Sequence, residues 1–200
     1  VGIAEQHAVT FASGLAKGGM IPVFAVYSTF LQRAYDQLVH DGSLQKQKLI
    51  IGLDRAGFVG EDGVTHQGLL DVSYLNSIPD ITVYSPFTYD RLRLDIDEAI
   101  NSAENLTVIR YPRGGEMSFP DKYKLSNNDF DYFEYSNNVL IVSYGRISAN
   151  VLNAVEILNK NNLSVSVLIL NKIKPINAES VKIANKYNKV FFYEESTKSG

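Results

Sequence analysis

Short apolar runs alternate with stretches whose apolar residues recur at helical spacing along most of the chain. Small apolar residues recur every three or four positions over 4–15, which predicts a helix that ends at Gly18-Gly19. The run 21–27 predicts a buried strand, and a second apolar helix face follows over 28–39. This alternation is typical of a parallel β-sheet covered by helices on both faces.

The alternation continues to residue 111 and resumes near residue 139. Further strands are predicted over 49–53, 81–84, 107–111, 139–144, 164–170 and 189–193, and further helices over 69–78, 90–102, 148–159 and 178–187. Residues 112–138 are polar, tyrosine-rich and interrupted by Gly, Pro and Asn-Asn pairs, which is typical of a connection between domains. We therefore predict an α/β domain over 1–117, a linker over 118–138 and a partial second α/β domain over 139–200.

The composition argues against several classes of protein. The 19 basic and 22 acidic residues give a formal net charge of -3, so nothing in the charge balance favours a nucleic-acid partner. The absence of Cys excludes disulfides and thiolate metal sites, and it fits a reducing compartment. No apolar run approaches the roughly 20 residues of a membrane helix, and the first residues have no targeting pattern. Because the chain begins without Met at a helix entry, we expect it to be an excerpt of a longer polypeptide.

A glycine-rich segment after the second predicted strand carries candidate ligand-binding residues. Residues 54–68 contain four glycines among charged side chains, and they follow the carboxyl end of a strand, where open α/β sheets bind ligands. His66 lies there beside Asp62 and either faces a ligand or orders the loop by hydrogen bonding.

Arginines follow two of the predicted strands. Arg55 comes after one strand, and Arg110 and Arg113 come after another. Guanidinium groups bind phosphate or carboxylate by paired donors, so arginines that converge at one sheet edge favour a small anionic substrate. Surface ion pairs are the alternative interpretation.

Two predicted helix starts carry further candidates. Glu5 begins an alanine-rich helix, where it either contacts a ligand or only interacts favourably with the helix dipole. Phe30 and Arg33 share a helix face above Tyr27 at the preceding strand end, so the three side chains can flank a flat ligand. The same spacing occurs on ordinary helices whose arginine stem covers apolar surface.

Other catalytic patterns are missing from the sequence. It lacks Gly-x-Ser-x-Gly and Gly-x-x-x-x-Gly-Lys-Ser/Thr, which argues against a serine hydrolase and a P-loop phosphate site. The three His residues do not have metal-ligand spacing, so no metal ligands are predicted, and we interpret His7 and His40 as structural or surface residues.

Three segments together resemble the 1-deoxy-D-xylulose-5-phosphate synthase family. They are VGIAEQHAVT at 1–10, YSTFLQRAYDQ at 27–37, and DRAG through DGVTH within 54–66. The resemblance is strongest over 1–117, which is similar to the pyrimidine-binding domain of transketolase type, a parallel-sheet fold that binds thiamine diphosphate. The remainder resembles, more loosely, the first part of the transketolase C-terminal α/β domain.

The resemblance implies an activity and its cofactors. The family condenses pyruvate with glyceraldehyde 3-phosphate, releases carbon dioxide and forms 1-deoxy-D-xylulose 5-phosphate, a precursor for isoprenoid, thiamine and pyridoxal synthesis. Thiamine diphosphate and Mg²⁺ are the implied cofactors. The family's N-terminal domain, which binds Mg²⁺ and the diphosphate, has no counterpart in this sequence, so we expect the excerpt alone to be inactive. The implied parent is a cytoplasmic homodimer.

The resemblance also implies residue roles. Glu5 matches the catalytic carboxylate that hydrogen-bonds the aminopyrimidine ring, while Phe30 packs on that ring and Arg33 lies beside it. Two further matches, Asp62 and the catalytic His66, contact the acceptor or the intermediate of the carboligation. Three residues match positions that bind the phosphate of the aldehyde: Tyr27, Arg55 and Arg113.

Departures from the family and two alternatives remain. Val64 stands where the family has Pro, and Gln67 and Gly42 also differ from expectation, so the shape of the loop around His66 is open. One alternative is a subunit of another thiamine enzyme, of transketolase or pyruvate dehydrogenase beta type. The other is a non-catalytic interaction module. Against it stands the retention of five candidate residues that the fold does not require: Glu5, Phe30, Arg33, Asp62 and His66.

Overall fold

A computed structural model describes residues 2–198, so Val1 of the first motif lies outside the described residues. The helices are α1 (Glu5–Lys17), α2 (Ser28–Leu31), α3 (Tyr35–Gln37), α4 (Asp71–Asn76), α5 (Tyr89–Asn101), α6 (Ile147–Lys160) and α7 (Ala178–Ala184). The strands are β1 (Val23–Tyr27), β2 (Ile50–Asp54), β3 (Thr82–Tyr84), β4 (Thr107–Arg110), β5 (Phe130–Phe133), β6 (Val139–Tyr144), β7 (Ser166–Leu170), β8 (Lys172–Lys174) and β9 (Lys189–Tyr193). Among the described residues, no helix combines the length and the apolar character needed to cross a membrane.

The first sheet has the strand order β1-β2-β4-β3-β8, with β1 to β4 parallel and β8 antiparallel. Successive side chains of a strand point to opposite faces, and the burial follows this period. Ile51 and Val108 belong to a core shared with α1 and the helices after β1, whereas Ile50 and Ile109 pack with Ala99 of α5. The central strands are therefore covered on both faces, as the continuous apolar runs predict. The prediction of a buried strand over 21–27 is wrong, because β1 lies at the edge of the sheet and Val23 is 62% exposed.

The helical region after β1 is less regular than its apolar pattern predicts. It begins as α2, tightens into a 3₁₀ turn at Gln32–Ala34, continues as α3 and widens into a π-helical turn at Leu38–Ser43. Gly42 lies in this last turn, and a Cβ there would approach a Leu106 methyl group at 3.2 Å. A small residue at position 42 thus allows the turn to pack closely.

The second sheet has the order β5-β7-β6-β9, with β5 antiparallel to β7 and the other pairs parallel. Val167 and Ile169 face a core that includes residues of α6, while Leu168 and Leu170 face a core with Ile183. The side chains of β9 are all exposed.

Two antiparallel strands differ from the sequence interpretation. Residues 118–138, which we interpreted as a linker, contain β5 and the buried Tyr123, so this segment adds a strand to the second sheet. The unpredicted β8 pairs with β3 and thereby joins the carboxyl half of the chain to the first sheet. The division into domains at 117 and 139 stays a prediction.

Candidate active site

The predicted site residues meet at the carboxyl edge of the first sheet. In register, Tyr27 at the end of β1 lies beside Asp54 at the end of β2, and Leu53 lies beside Arg110 at the end of β4. The chain passes directly from β1 into α2 and from β2 into the glycine-rich loop. This connectivity brings together side chains that are far apart in the sequence.

Glu5 is buried at the first turn of α1 with half of its carboxylate unpartnered. The residue is 9% exposed, and Arg33 Nη1 donates a 3.0 Å hydrogen bond to its Oε1. Its Oε2 is buried and has no hydrogen-bond partner. A buried acceptor without a donor costs free energy, so this atom indicates a place where a ligand supplies a donor.

Phe30 lies at the centre of an aromatic and cationic group. Its ring stacks on the Tyr27 ring, with centroids 5.3 Å apart and an angle of 12° between the planes. The His66 ring lies nearly perpendicular to the Phe30 ring, at 76°, with a centroid distance of 5.3 Å. The guanidinium carbon of Arg33 lies 5.0 Å from the same centroid. Phe30 thus connects the Glu5–Arg33 pair to the strand end and to the glycine-rich loop.

Asp62 holds both predicted phosphate-binding arginines. Arg55 Nε donates to Asp62 Oδ2 at 2.7 Å, and Arg113 Nη1 donates to Asp62 Oδ1. Arg55 also covers the Tyr27 ring, with its guanidinium carbon 3.6 Å from the centroid. The hydrogen bond from Arg55 and the charge of Arg113 hold the pKa of Asp62 below its ordinary value. The eight predicted residues form one connected network from Glu5 to Arg113.

Gln67, one of the departures from the family pattern, orders the glycine-rich loop. Its Oε1 accepts the Val59 N–H at 2.6 Å, and its Nε2 donates to the carbonyls of Val59 and Gly63 at 2.6 and 2.7 Å. His66 Nδ1 instead shares a 2.8 Å hydrogen bond with the neighbouring Thr65. Because Gln67 ties the two sides of the loop together, loop ordering does not require His66. Val64, at the other departure, is 94% exposed.

Arg110 does not join this network, although its strand end lies nearby. It is 3% exposed and donates two hydrogen bonds of 3.1 Å to Asp71, which is fully buried, and one of 3.1 Å to Ser85. This pair fastens the start of α4 to the sheet immediately behind the loop. The sequence pattern predicts Arg110 at a strand end, but it does not mark Asp71, which lies in a stretch predicted only as a helix.

The remaining histidines are on the surface, as predicted: His7 and His40 are both exposed. Within residues 2–198, no three His, Cys, Asp or Glu side chains lie close enough together to hold a metal ion.

Comparison with known proteins places this geometry in a family. The family model described as "Transketolase, pyrimidine binding domain" matches residues 1–115, and "Transketolase, C-terminal domain" matches 134–200. The chain belongs to the transketolase pyrimidine-binding domain family. This is a family of thiamine-diphosphate enzymes.

Curated relatives of this family member are 1-deoxy-D-xylulose-5-phosphate synthases. The chain is 40% identical to the synthase of Natranaerobius thermophilus over 204 residues, which cover 100% of this chain and 32% of the relative. It is 42% identical to that of Chlorobaculum tepidum over 187 residues, or 92% of this chain and 29% of the relative. These matches confirm the resemblance seen in the sequence motifs. The chain spans about a third of the length of these relatives.

Solved transketolase structures have the same fold. A split-gene transketolase described as an inactive beta4 tetramer superimposes with a TM-score of 0.84 at 26% identity, covering 98% of this chain and 64% of that chain. A transketolase variant from Pichia stipitis gives 0.84 at 16% identity, covering 97% of this chain and 30% of that chain. The predicted fold class is confirmed. The individual residue roles stay predictions.

Proposed function

We propose that this chain supplies the aminopyrimidine-binding part of a 1-deoxy-D-xylulose-5-phosphate synthase. The proposed reaction condenses pyruvate with glyceraldehyde 3-phosphate, releases carbon dioxide and forms 1-deoxy-D-xylulose 5-phosphate. The observation that carries the proposal is the buried, unpartnered Oε2 of Glu5, whose other oxygen pairs with the same Arg33 that lies over the Phe30 ring. The 40% identity to synthases, which extends over all of this chain, supports the choice of substrates.

The residues around Glu5 fit the pyrimidine end of thiamine diphosphate. Arg33 pairs with one carboxylate oxygen and leaves the other free to accept a hydrogen bond from a ring nitrogen. Phe30 offers a flat apolar surface for the ring, and in our proposal Arg33 lies beside it. The cofactor, when bound, supplies the electron sink that makes decarboxylation of pyruvate possible. Glu5 orients the ring and holds the proton on its nitrogen, which makes it the general acid-base group of this chain.

The arginine side of the network is assigned to the acceptor substrate. Arg55 and Arg113 present guanidinium groups, whose paired donors suit a phosphate monoester better than an ammonium does, and Tyr27 lies against Arg55. Asp62 and His66, on the loop between these arginines, are assigned to the hydroxyl and carbonyl groups of the acceptor. The phosphate therefore binds at the end of the network away from Glu5.

The proposal places the remaining requirements outside this chain. Mg²⁺ and the diphosphate are assigned to an N-terminal domain like that of the family, since the curated relatives are about three times as long as the matched segment. We assign the protein to the cytoplasm and to a homodimer.

Transketolase-type transfer of two-carbon units is the second candidate function. It is supported by the split-gene transketolase, which covers 98% of this chain with a TM-score of 0.84. The two candidates differ in the donor substrate. Carbon dioxide release from pyruvate supports the synthase, whereas transfer from a ketose phosphate without carbon dioxide release supports transketolase.

The decisive experiment is a rate measurement on Glu5→Ala in the full polypeptide that carries this sequence. The assay follows carbon dioxide release and 1-deoxy-D-xylulose 5-phosphate formation from pyruvate and glyceraldehyde 3-phosphate. Loss of an acid-base group predicts a decrease of about 10² to 10⁴ in rate.

Asp90 provides the matched control, because it also lies in the first turn of a helix but is exposed. Asp90→Ala tests the contribution of a helix-start charge alone and should leave the rate within about twofold, as a few tenths of a kcal/mol implies. Near-normal turnover of Glu5→Ala would contradict the proposed role.

A further inference from the structure

The glycine-rich loop is closed at its base by two glycines that hydrogen-bond each other. Gly57 N–H donates to the Gly68 carbonyl at 2.8 Å, and Gly68 N–H donates to the Gly57 carbonyl at 2.9 Å. The loop between them carries Asp62 and His66. Gly57 has a φ of +83°, a conformation that glycine adopts readily. The position of both site residues therefore depends on how this base is held.

The segment that follows β9 holds one end of the loop base through Glu195. The Glu195 side chain is half-buried beside this base. Its side chain lies flat against Gly57, where a Cβ would come within 2.7 Å of Glu195 Oε2. Arg110 and Arg146 face the same carboxylate and offset part of the cost of its burial. The absence of a side chain at position 57 leaves the space that Glu195 occupies.

The two residues after Glu195 contact the other end of the loop and the helix beyond it. Ser196 Oγ donates to the Leu69 carbonyl at 3.1 Å, and Thr197 Oγ1 lies 3.1 Å from Ser73 Oγ in α4. Residues 195–197 therefore touch both strands of the loop base. They come from the carboxyl half of the chain, which also contributes β8 to the first sheet and forms the second sheet.

We propose that Glu195 is a positioning residue for the acceptor site: by holding the base of loop 57–68, it fixes Asp62 and His66 against the phosphate-binding arginines. A loop rich in glycine has many accessible conformations, so an anchor at its base restricts the positions of the side chains it carries. Glu195 does not touch the substrate in this proposal, which rests on the proposed synthase function. The carboxyl half of the chain thereby influences acceptor binding.

The test compares Glu195→Ala and Glu195→Gln in the full polypeptide. Alanine removes the carboxylate that packs against Gly57, while glutamine keeps a group of the same size and shape there and should restore most of the function. We expect Glu195→Ala to raise the KM for glyceraldehyde 3-phosphate on the order of tenfold, since displacement of a positioned group by about 1 Å costs up to a hundredfold. The KM for pyruvate should change much less.

Glu194→Ala is the matched control, because the Glu194 carboxylate accepts a hydrogen bond from the Tyr144 hydroxyl and not from the loop. It should leave the ratio of the two KM values unchanged. Backbone amide exchange gives a readout that does not depend on activity: Glu195→Ala should selectively accelerate exchange at Gly57 and Gly68, whose N–H groups form the loop base, and Glu195→Gln should not.

Each outcome decides the proposal. Faster exchange in the loop together with a raised acceptor KM supports it. Unchanged exchange, or faster exchange with an unchanged KM ratio, overturns it. If the unmodified protein does not consume pyruvate and glyceraldehyde 3-phosphate, the proposed function fails, while the exchange measurement still shows whether Glu195 holds the loop.

Discussion

Removal of the Asp71 charge should destabilise the protein severely, because Arg110 would be left charged and buried. Asp71 is fully buried, Arg110 is 3% exposed, and two hydrogen bonds of 3.1 Å join them. Breaking a buried ion pair by removing one partner costs about 3–5 kcal/mol. For a chain of 200 residues, each kcal/mol lowers the Tm by about 2–4 °C, so Asp71→Asn should lower the Tm by roughly 6–20 °C.

Thermal unfolding followed by circular dichroism measures this loss, and two further variants test its cause. Asp71→Leu combined with Arg110→Met removes both charges of the pair and should recover most of the stability. Glu179→Gln removes half of an exposed pair with Lys182 on α7 and should cost less than about 1 kcal/mol. A loss below about 1 kcal/mol for Asp71→Asn, or a double variant no more stable than the single one, would refute the reasoning.

The remaining predictions concern the loop and its arginines. Arg113→Ala should raise the KM for glyceraldehyde 3-phosphate far more than that for pyruvate, while Arg93→Ala, at an exposed position of α5, should change neither; equal effects on both substrates would argue against a phosphate contact. Gly68→Ala should destabilise the fold by about 1–3 kcal/mol in chemical denaturation, because its Cβ would overlap the Arg55 carbonyl oxygen, whereas Gly60→Ala has open space and should be nearly neutral. Arg55 and Arg113 hold the pKa of Asp62 below 3.8, so the stabilisation from this carboxylate is complete above pH 3.8 and is lost as the pH falls through the lower value in the folded protein. If the rate falls on acidification at a pH above about 5, the same fall should therefore occur in Asp62→Asn. Loss of that fall in the variant would show that Asp62 titrates in this range.

The sequence predicted the elements whose apolar residues are contiguous. The bounds of β6 and β9 were predicted as observed, because each contains a run of at least four apolar residues, although the side chains of β9 are exposed. By contrast, β8 has three residues, two of them lysines, and it forms only because β3 offers an edge almost 90 residues away in the chain. Periodicity over a short window contains no information about such a distant partner.

The site could be predicted as a set of residues but not as a network. Strand ends and motif resemblance indicated Glu5, Phe30 and Asp62, because their chemistry is unusual for their positions. Glu195 was missed, although it also follows a strand end, because its partners are the backbone of a loop more than 130 residues earlier. Asp71 was missed because nothing in a helix pattern marks an acidic residue that will be buried.

The antiparallel strand β8 has a consequence for how this polypeptide is made and dissected. Until residues 172–174 have left the ribosome, the growing chain exposes the free N–H and C=O groups of the β3 edge. A truncated product that stops after β4 would keep that edge permanently open and would be prone to intermolecular strand pairing. Expression trials that seek the amino-terminal sheet by itself should therefore extend beyond Lys174, whose ammonium group also binds the terminal carbonyls of α4.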